Sequence, residues 1–283
     1  MKEVKKVTGT KKFKFSLGWL LKWAFLIVMS VMIIFPFVMV LLNSFKTPQE
    51  YIQTGVFALP KHFYLGNYKI AFGNGKLVTG FANSAIFIAV AIILNTFLGT
   101  MSAYALGRFK FKAKKVIEWI YIIALFIPTT TTQVVIFSII KNLGLYNTYF
   151  AGFLIYAGTN IVQISIYRQQ LDELPYSLDE AALIDGASYI GIYWKIIMPL
   201  LTPAIITAAI INLVSVYSDL FSIYLYMPSI HTVTYVLYSF STENSTQWTV
   251  MSAAIVLALI PSLVIYFLSQ KKLYGGLTQG SVK

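Results

Sequence analysis

The chain has 283 residues, of which 58% are hydrophobic and only 11% charged, with a formal net charge of +12 and a mean hydropathy of +0.72. Soluble domains lie nearer half apolar and a quarter charged, so an ordinary soluble domain is excluded. With no cysteine and only two histidines, His62 and His231, disulfides, thiolate catalysis and zinc sites built on cysteine or histidine are excluded as well.

The apolar excess is gathered into long, charge-poor runs. The first covers 23–42 and follows seven lysines between Lys2 and Lys22. It is too long for a signal-peptide core and lacks a small-residue cleavage site, so it is expected to be a retained membrane span. Five more runs follow at about 83–106, 116–140, 149–166, 201–226 and 250–268. Each supplies the roughly 20 residues that a hydrocarbon core requires. Lipid offers no partner to backbone N–H and C=O groups, so all six are predicted to be α-helices.

Lys and Arg placement sets the direction. With the N-terminus in the cytoplasm, all but five of the 22 basic residues fall on the inner side; the exceptions are Lys46, Lys61, Lys69, Lys76 and Lys141. Both ends are therefore expected inside. The inner basic clusters, among them "RFKFKAKK" from Arg108 to Lys115, are expected to meet anionic membrane lipid, and nucleic acid is not an expected partner. The outer segment 43–82 is long and aromatic-rich. No internal repeat is evident.

Between the fourth and fifth runs, on the cytoplasmic side, the sequence reads "SLDEAALIDGASYIGIYWKIIMPLL", 177–201. "SLDE" has the form of a capping box, with Ser177 as N-cap and Glu180 reaching back. A short helix follows, ended by Gly186 in the left-handed C′ position. Ser188 is expected to cap a second short helix through Lys195, and Pro199 and Pro203 mark the passage into the fifth span. The result is a helix–glycine–helix elbow. Asp179, Glu180 and Asp185 lie beside the small residues Ala181 and Ala182, a pattern that suits docking of another surface better than a solvated linker.

"EAALIDGAS…KIIMPLL" resembles the EAA loop of binding-protein-dependent ABC-transporter permeases. Glu180, Ala181, Ala182, Gly186, Ile196 and Pro199 match that pattern, and Met198 stands where a leucine is usual. "LLNSFKTPQEY" (41–51), "AYALGRFKF" (103–111), "NLGLYNTYFAG" (142–152) and "GGLTQGSVK" (275–283) are similar to the carbohydrate-uptake branch, the maltose-permease-like smaller subunit. The likeness runs over about 15–283.

That resemblance implies an all-α, polytopic membrane protein with six transmembrane helices and type I ABC importer permease architecture, multi-pass in the prokaryotic cell (cytoplasmic) membrane. Its parts would be a basic cytoplasmic N-terminus (1–22), a first span with the long outer loop (23–78), a transmembrane core (79–270) carrying the coupling-helix loop (172–200), and a cytoplasmic tail (271–283). The elbow residues Glu180, Ala181, Ala182, Asp185, Gly186 and Pro199 would couple to an ATPase, and Thr278, Gly280 and Lys283 of the tail would touch it too. The implied partners are a second homologous permease, two copies of a cytoplasmic ATPase subunit, an extracytoplasmic solute-binding protein, and a sugar or oligosaccharide moved inward by alternating access. The chain itself has no phosphate-binding loop and is not expected to be an enzyme. No cofactor is expected in it, ATP and Mg being bound by the partner ATPase.

Polar residues inside the spans are candidates for a solute path. Counting about 1.5 Å per residue, Asn95, Thr130, Asn160 and Asn212 fall near mid-depth in four different spans. Such residues also bond across helix interfaces, and the threonines after Pro128 also suit carbonyls freed by a kink. Asp219, in "VYSDLF", is the one acidic residue deep in a span. It is read either as a functional carboxylate or as a helix end. Tyr217 and Ser218 replace the Trp and Asn frequent in the family. An alternative function, a membrane-embedded enzyme acting on a lipid-linked substrate, requires clustered carboxylates or histidines at one face. An ion channel requires a selectivity sequence or a charged ring, and neither is present.

Overall fold

A computed structural model describes residues 17–73, 76–158, 161–242 and 247–278, and among these the secondary structure is entirely helical. Helix α1 (Leu17–Ser44) begins six residues before the predicted first run and packs chiefly on α15 (Trp248–Thr278). Its apolar side chains, from Leu17 to Leu41, are otherwise exposed, as befits a helix whose surroundings are lipid.

The segment that follows folds back on the end of α1. Thr47 Oγ1 accepts from the Glu50 amide at 3.1 Å and starts α2 (Pro48–Thr54); Lys46 Nζ donates to the Gly55 carbonyl at 2.8 Å. Burial holds the Lys46 ammonium below the usual lysine value, with Glu50 opposing that shift. Asn67, in α3 (Gly66–Gly73), donates to the Ser44 and Lys46 carbonyls at 2.8 and 2.7 Å.

Helix α4 (Lys76–Arg108, 33 residues) spans roughly 50 Å at 1.5 Å per residue and is the mast of the molecule. Its buried positions Leu77, Gly80, Ser84, Phe87, Ala91 and Asn95 recur every three or four residues, which puts them on one face. Small residues there let neighbours approach closely. A Cβ on Gly152 would come within 2.3 Å of the Phe87 ring, so α7 (Tyr149–Ala157) seats against α4 only because that position is bare.

Three predicted spans are broken rather than continuous. The run expected over 116–140 is α5 (Lys114–Leu125) and α6 (Thr129–Asn142), bent by 111° where Pro128 lacks an N–H and disfavours helix at Ile127. The fourth is α7 and α8 (Ile161–Asp172), bent by 47° next to Gly158. The fifth, expected unbroken over 201–226, is α12 (Thr202–Ser218) and α13 (Phe221–Tyr226), separated at Asp219. The segment that follows contains a further helix, α14 (Val233–Thr242).

Before α12 come α9 (Ser177–Ile184), α10 (Tyr189–Ile192), one π-helical turn (Tyr193–Ile197) and α11 (Met198–Leu200). This arm meets α12 at 73°. Among the described residues three uninterrupted helices are long and apolar enough to cross a membrane, and up to six crossings result when each bent pair is counted as one span.

Candidate functional site

The elbow between α8 and α12 is shaped by its own backbone. Gly186 has φ +83°, a region in which a side chain is strained. The Gly186 amide donates to Leu183 O at 3.0 Å and the Ala187 amide to Ala182 O at 2.9 Å. These are the two bonds of a Schellman ending. Ser188 Oγ then accepts from the Gly191 amide at 3.2 Å and starts α10. The predicted capping box at "SLDE" does not form. Tyr176, not Ser177, holds the N-cap position, and it is already in helical conformation with no side-chain cap. The Asp179 and Glu180 amides reach the Tyr176 carbonyl instead, so no amide is left for Ser177 to satisfy.

Asp179 serves a different purpose. Its Oδ2 lies 3.1 Å from Arg108 Nε, and both side chains are nearly buried. The same guanidinium donates to Leu174 O at 3.0 Å and stacks over the Tyr176 ring at 4.2 Å, while Tyr176 Oη donates to Gly107 O at 3.0 Å. The last turn of α4 therefore grips both the approach to α9 and its first turn. A second tie comes from the π-turn, where Tyr193 Oη and Thr100 Oγ1 are 2.7 Å apart. The turn lies just before Pro199, whose ring would press on the carbonyl four residues back; a widened turn relieves this contact. Between the two ties, Ala182, Ile192, Tyr193, Ile197 and Leu201 pack against Tyr104 and Leu171.

The two alanines thus face opposite ways. Ala182, expected to meet a partner, is 8% exposed and packs inward; Ala181 faces out. The outward surface consists of Glu180, Ala181, Leu183, Ile184, Asp185, Gly186 and Ile190, with Ile184 and Ile190 87% and 73% exposed. Pro199 is also exposed. This is an apolar knob flanked by two carboxylates on a rigid base, suited to a hollow with donors at its rim.

The mid-depth candidates fall into separate situations. Asn95 is buried; its Nδ2 donates to Ala91 O at 3.0 Å and to Tyr156 O. Tyr156 Oη in turn donates to Asp219 Oδ2 at 3.1 Å, and Asp219 Oδ1 accepts from the Ser222 amide at 3.0 Å. Asn95 and Asp219 therefore meet on Tyr156, a residue the sequence reading passed over, and all three hold the places where α7 ends and α12 gives way to α13. Asn212 is buried on α12, and Thr130 is exposed in the first turn of α6. Asn160, Gly280 and Lys283 lie outside the described residues; Thr278 closes α15, with its side chain likewise outside them. Among the described residues no group of acidic or histidine side chains could hold a metal ion. Arg108 stands in the sequence both in the basic cluster and in "AYALGRFKF", but neither setting pointed to its pairing with Asp179.

Residues 95–278 match the family model described as "Binding-protein-dependent transport system inner membrane component". The chain is 35% identical to the probable starch degradation products transport system permease protein AmyC of Thermoanaerobacterium thermosulfurigenes, over 91% of this chain and 94% of that one. It is 31% identical to the diacetylchitobiose uptake system permease protein NgcG of Streptomyces coelicolor, over 92% and 87%. Its fold is similar to that of a chain in a bacterial ABC transporter that imports the acidic polysaccharide alginate, with a TM-score of 0.79, 22% identity and coverage of 89% and 95%.

Proposed function

The chain belongs to the family of binding-protein-dependent transport system inner membrane components, and from that premise we propose that it passes a sugar or oligosaccharide into the cytoplasm and takes its driving force through the elbow at 177–201. It is a multi-pass membrane permease of the sugar-importing ABC type, not an enzyme. In the proposed assembly it pairs with a homologous permease, rests on two ATPase subunits that bind ATP and Mg, and receives solute from an extracytoplasmic binding protein. Both termini lie in the cytoplasm.

The observation that carries this reading is the fixed attachment of an exposed docking face to the mast helix. Ile184, Ile190, Glu180 and Asp185 face outward, while Arg108 and Thr100 of α4 hold the same elbow from behind. A push on the knob therefore reaches α4 without being lost in a soft joint. Closing of the ATPase pair would rock α4 with the helices packed on it, α7, α8, α12 and α14, exchanging inward-facing for outward-facing states.

The test is uptake by the complete transporter carrying Glu180→Lys or Gly186→Pro. The first reverses a charge on the docking face; the second imposes φ near −65° where +83° is required. Both variants are expected to insert normally and to lose uptake together with solute-stimulated ATP hydrolysis. Normal uptake with intact stimulation would remove the elbow from the coupling path.

A further inference from the structure

At the opposite end of α4 from the elbow, the structure holds a second prepared feature. A hollow of about 290 Å³ is lined by Lys76, Tyr224, His231, Tyr235, Val236, Tyr238 and Ser239. His231 and Tyr235 stack nearly parallel, with centroids 4.8 Å apart and 8° between planes. Tyr224 and Tyr238 meet edge to face at 5.9 Å. These rings are partly or well exposed and line the hollow.

The backbone behind the hollow is fastened with unusual thoroughness for an outer connection. Asn83 Nδ2 donates to the His231 carbonyl at 2.8 Å, and Asn83 Oδ1 accepts from Tyr149 Oη at 2.7 Å. Ser84 Oγ accepts from the Val233 amide at 3.1 Å. Gly80 lets the chain lie so close that a Cβ there would sit 3.2 Å from Thr232 backbone atoms. Asn83, Ser84 and Thr232 are all buried. Little more than one turn of α4, residues 80–84, thus fixes His231–Val233, and with it the first ring of the stack.

We propose that this hollow is a docking place for one ring of a sugar at the outer mouth of the permease, an assignment that rests on the sugar-importing reading above. A pyranose presents an apolar C–H face that lies well on the electron-rich face of an aromatic ring, and a rim of hydroxyls that need both donors and acceptors. The hollow supplies stacked rings for the first and the hydroxyls of Tyr224 and Tyr235 for the second, while Ser239 Oγ, which donates to Val236 O at 2.8 Å, can add an acceptor. Its size is at the lower end of small-molecule sites, which begin near 300 Å³, so it suits a single ring and not a whole oligosaccharide. The lining contains no carboxylate, which disfavours cationic solutes. The larger hollow of about 360 Å³ between α12, α14 and α15 is almost wholly hydrocarbon-lined and offers little to hydroxyls.

The test uses the full-length transporter with maltotriose, raffinose and diacetylchitobiose as probes. In detergent and without the binding protein, saturation-transfer NMR is expected to show contact with ring protons of whichever probe the wild type takes up. Tyr235→Ala is expected to remove that signal and to raise the half-saturating concentration for uptake about tenfold, whereas Tyr235→Phe keeps the stack and the signal. Should Tyr235→Ala fail to accumulate, Tyr224→Leu, at a more exposed ring, carries the same expectation. Uptake of a probe with no saturation transfer, or with half-saturation unmoved by these variants, overturns the assignment while leaving the transport reading intact. Loss of binding-protein docking with saturation transfer preserved also overturns it, making the surface a protein contact. Failure of the wild type, supplied with its binding protein, to take up any probe sinks the subsite together with the sugar-importing reading.

Discussion

Arg108 and Asp179 are 71 positions apart in sequence and 3.1 Å apart in space. A buried pair of this kind is costly to break from one side only, because the remaining charge loses its counter-charge while still held out of water, at about 3–5 kcal/mol. Arg108→Met is therefore expected to lower the melting temperature of the purified chain sharply, and Arg108→Met with Asp179→Leu to recover much of the loss. Equal melting of the single and double variants would show that the pair is not what holds the elbow. At Asp219 the carboxylate oxygens accept from Tyr156 and the Ser222 amide. Asp219→Asn keeps an acceptor for the amide and is expected to retain melting behaviour and uptake, while Asp219→Ala loses both bonds and destabilises the α12–α13 junction. A change of solute preference in Asp219→Asn would assign the charge itself to the solute path.

At the scale of elements, the two serines of the elbow give opposite expectations despite similar sequence settings. Ser188 caps α10 through Gly191, so Ser188→Ala is expected to cost about 1 kcal/mol. Ser177 caps nothing and is exposed, so Ser177→Ala is expected to stay within about 0.5 kcal/mol of the parent. Thermal melting of the two variants side by side decides it, and a larger loss at Ser177 would restore the capping box. The helix breaks follow similar local chemistry. At 126–128 the chain turns because proline cannot continue the ladder. At Asp219 it turns with no proline at all, the carboxylate supplying the acceptor for a new helix start.

For the whole molecule, the absence of cysteine makes direction in the membrane measurable. Ile184→Cys, on the elbow, is expected to react with a membrane-impermeant maleimide only from the cytoplasmic side. Lys61→Cys, on the outer segment, is expected to react only from outside. Reversed labelling would invert the topology and with it both the coupling site and the outer hollow. The two sites sit at opposite ends of α4, and each is fixed by side chains of that helix: Thr100 and Arg108 at one end, Asn83 and Ser84 at the other. A tilt of α4 therefore moves both together.

The sequence alone determined the six long apolar runs, since a bilayer demands such a run wherever the chain crosses it. It also determined the glycine turn at Gly186 and the cap at Ser188, which depend on residues three to five positions away. The family likeness rested on the same short-range pattern. Tertiary structure decided which way Ala181 and Ala182 face, that Asp179 belongs to Arg108, that Asn95 and Asp219 converge on Tyr156, and that His231 and Val233 are fastened to Asn83 and Ser84. Those outcomes depend on which helices lie side by side. The periodicity of any one helix shows that it has a buried face, but the residues opposite that face are supplied by segments dozens of positions away.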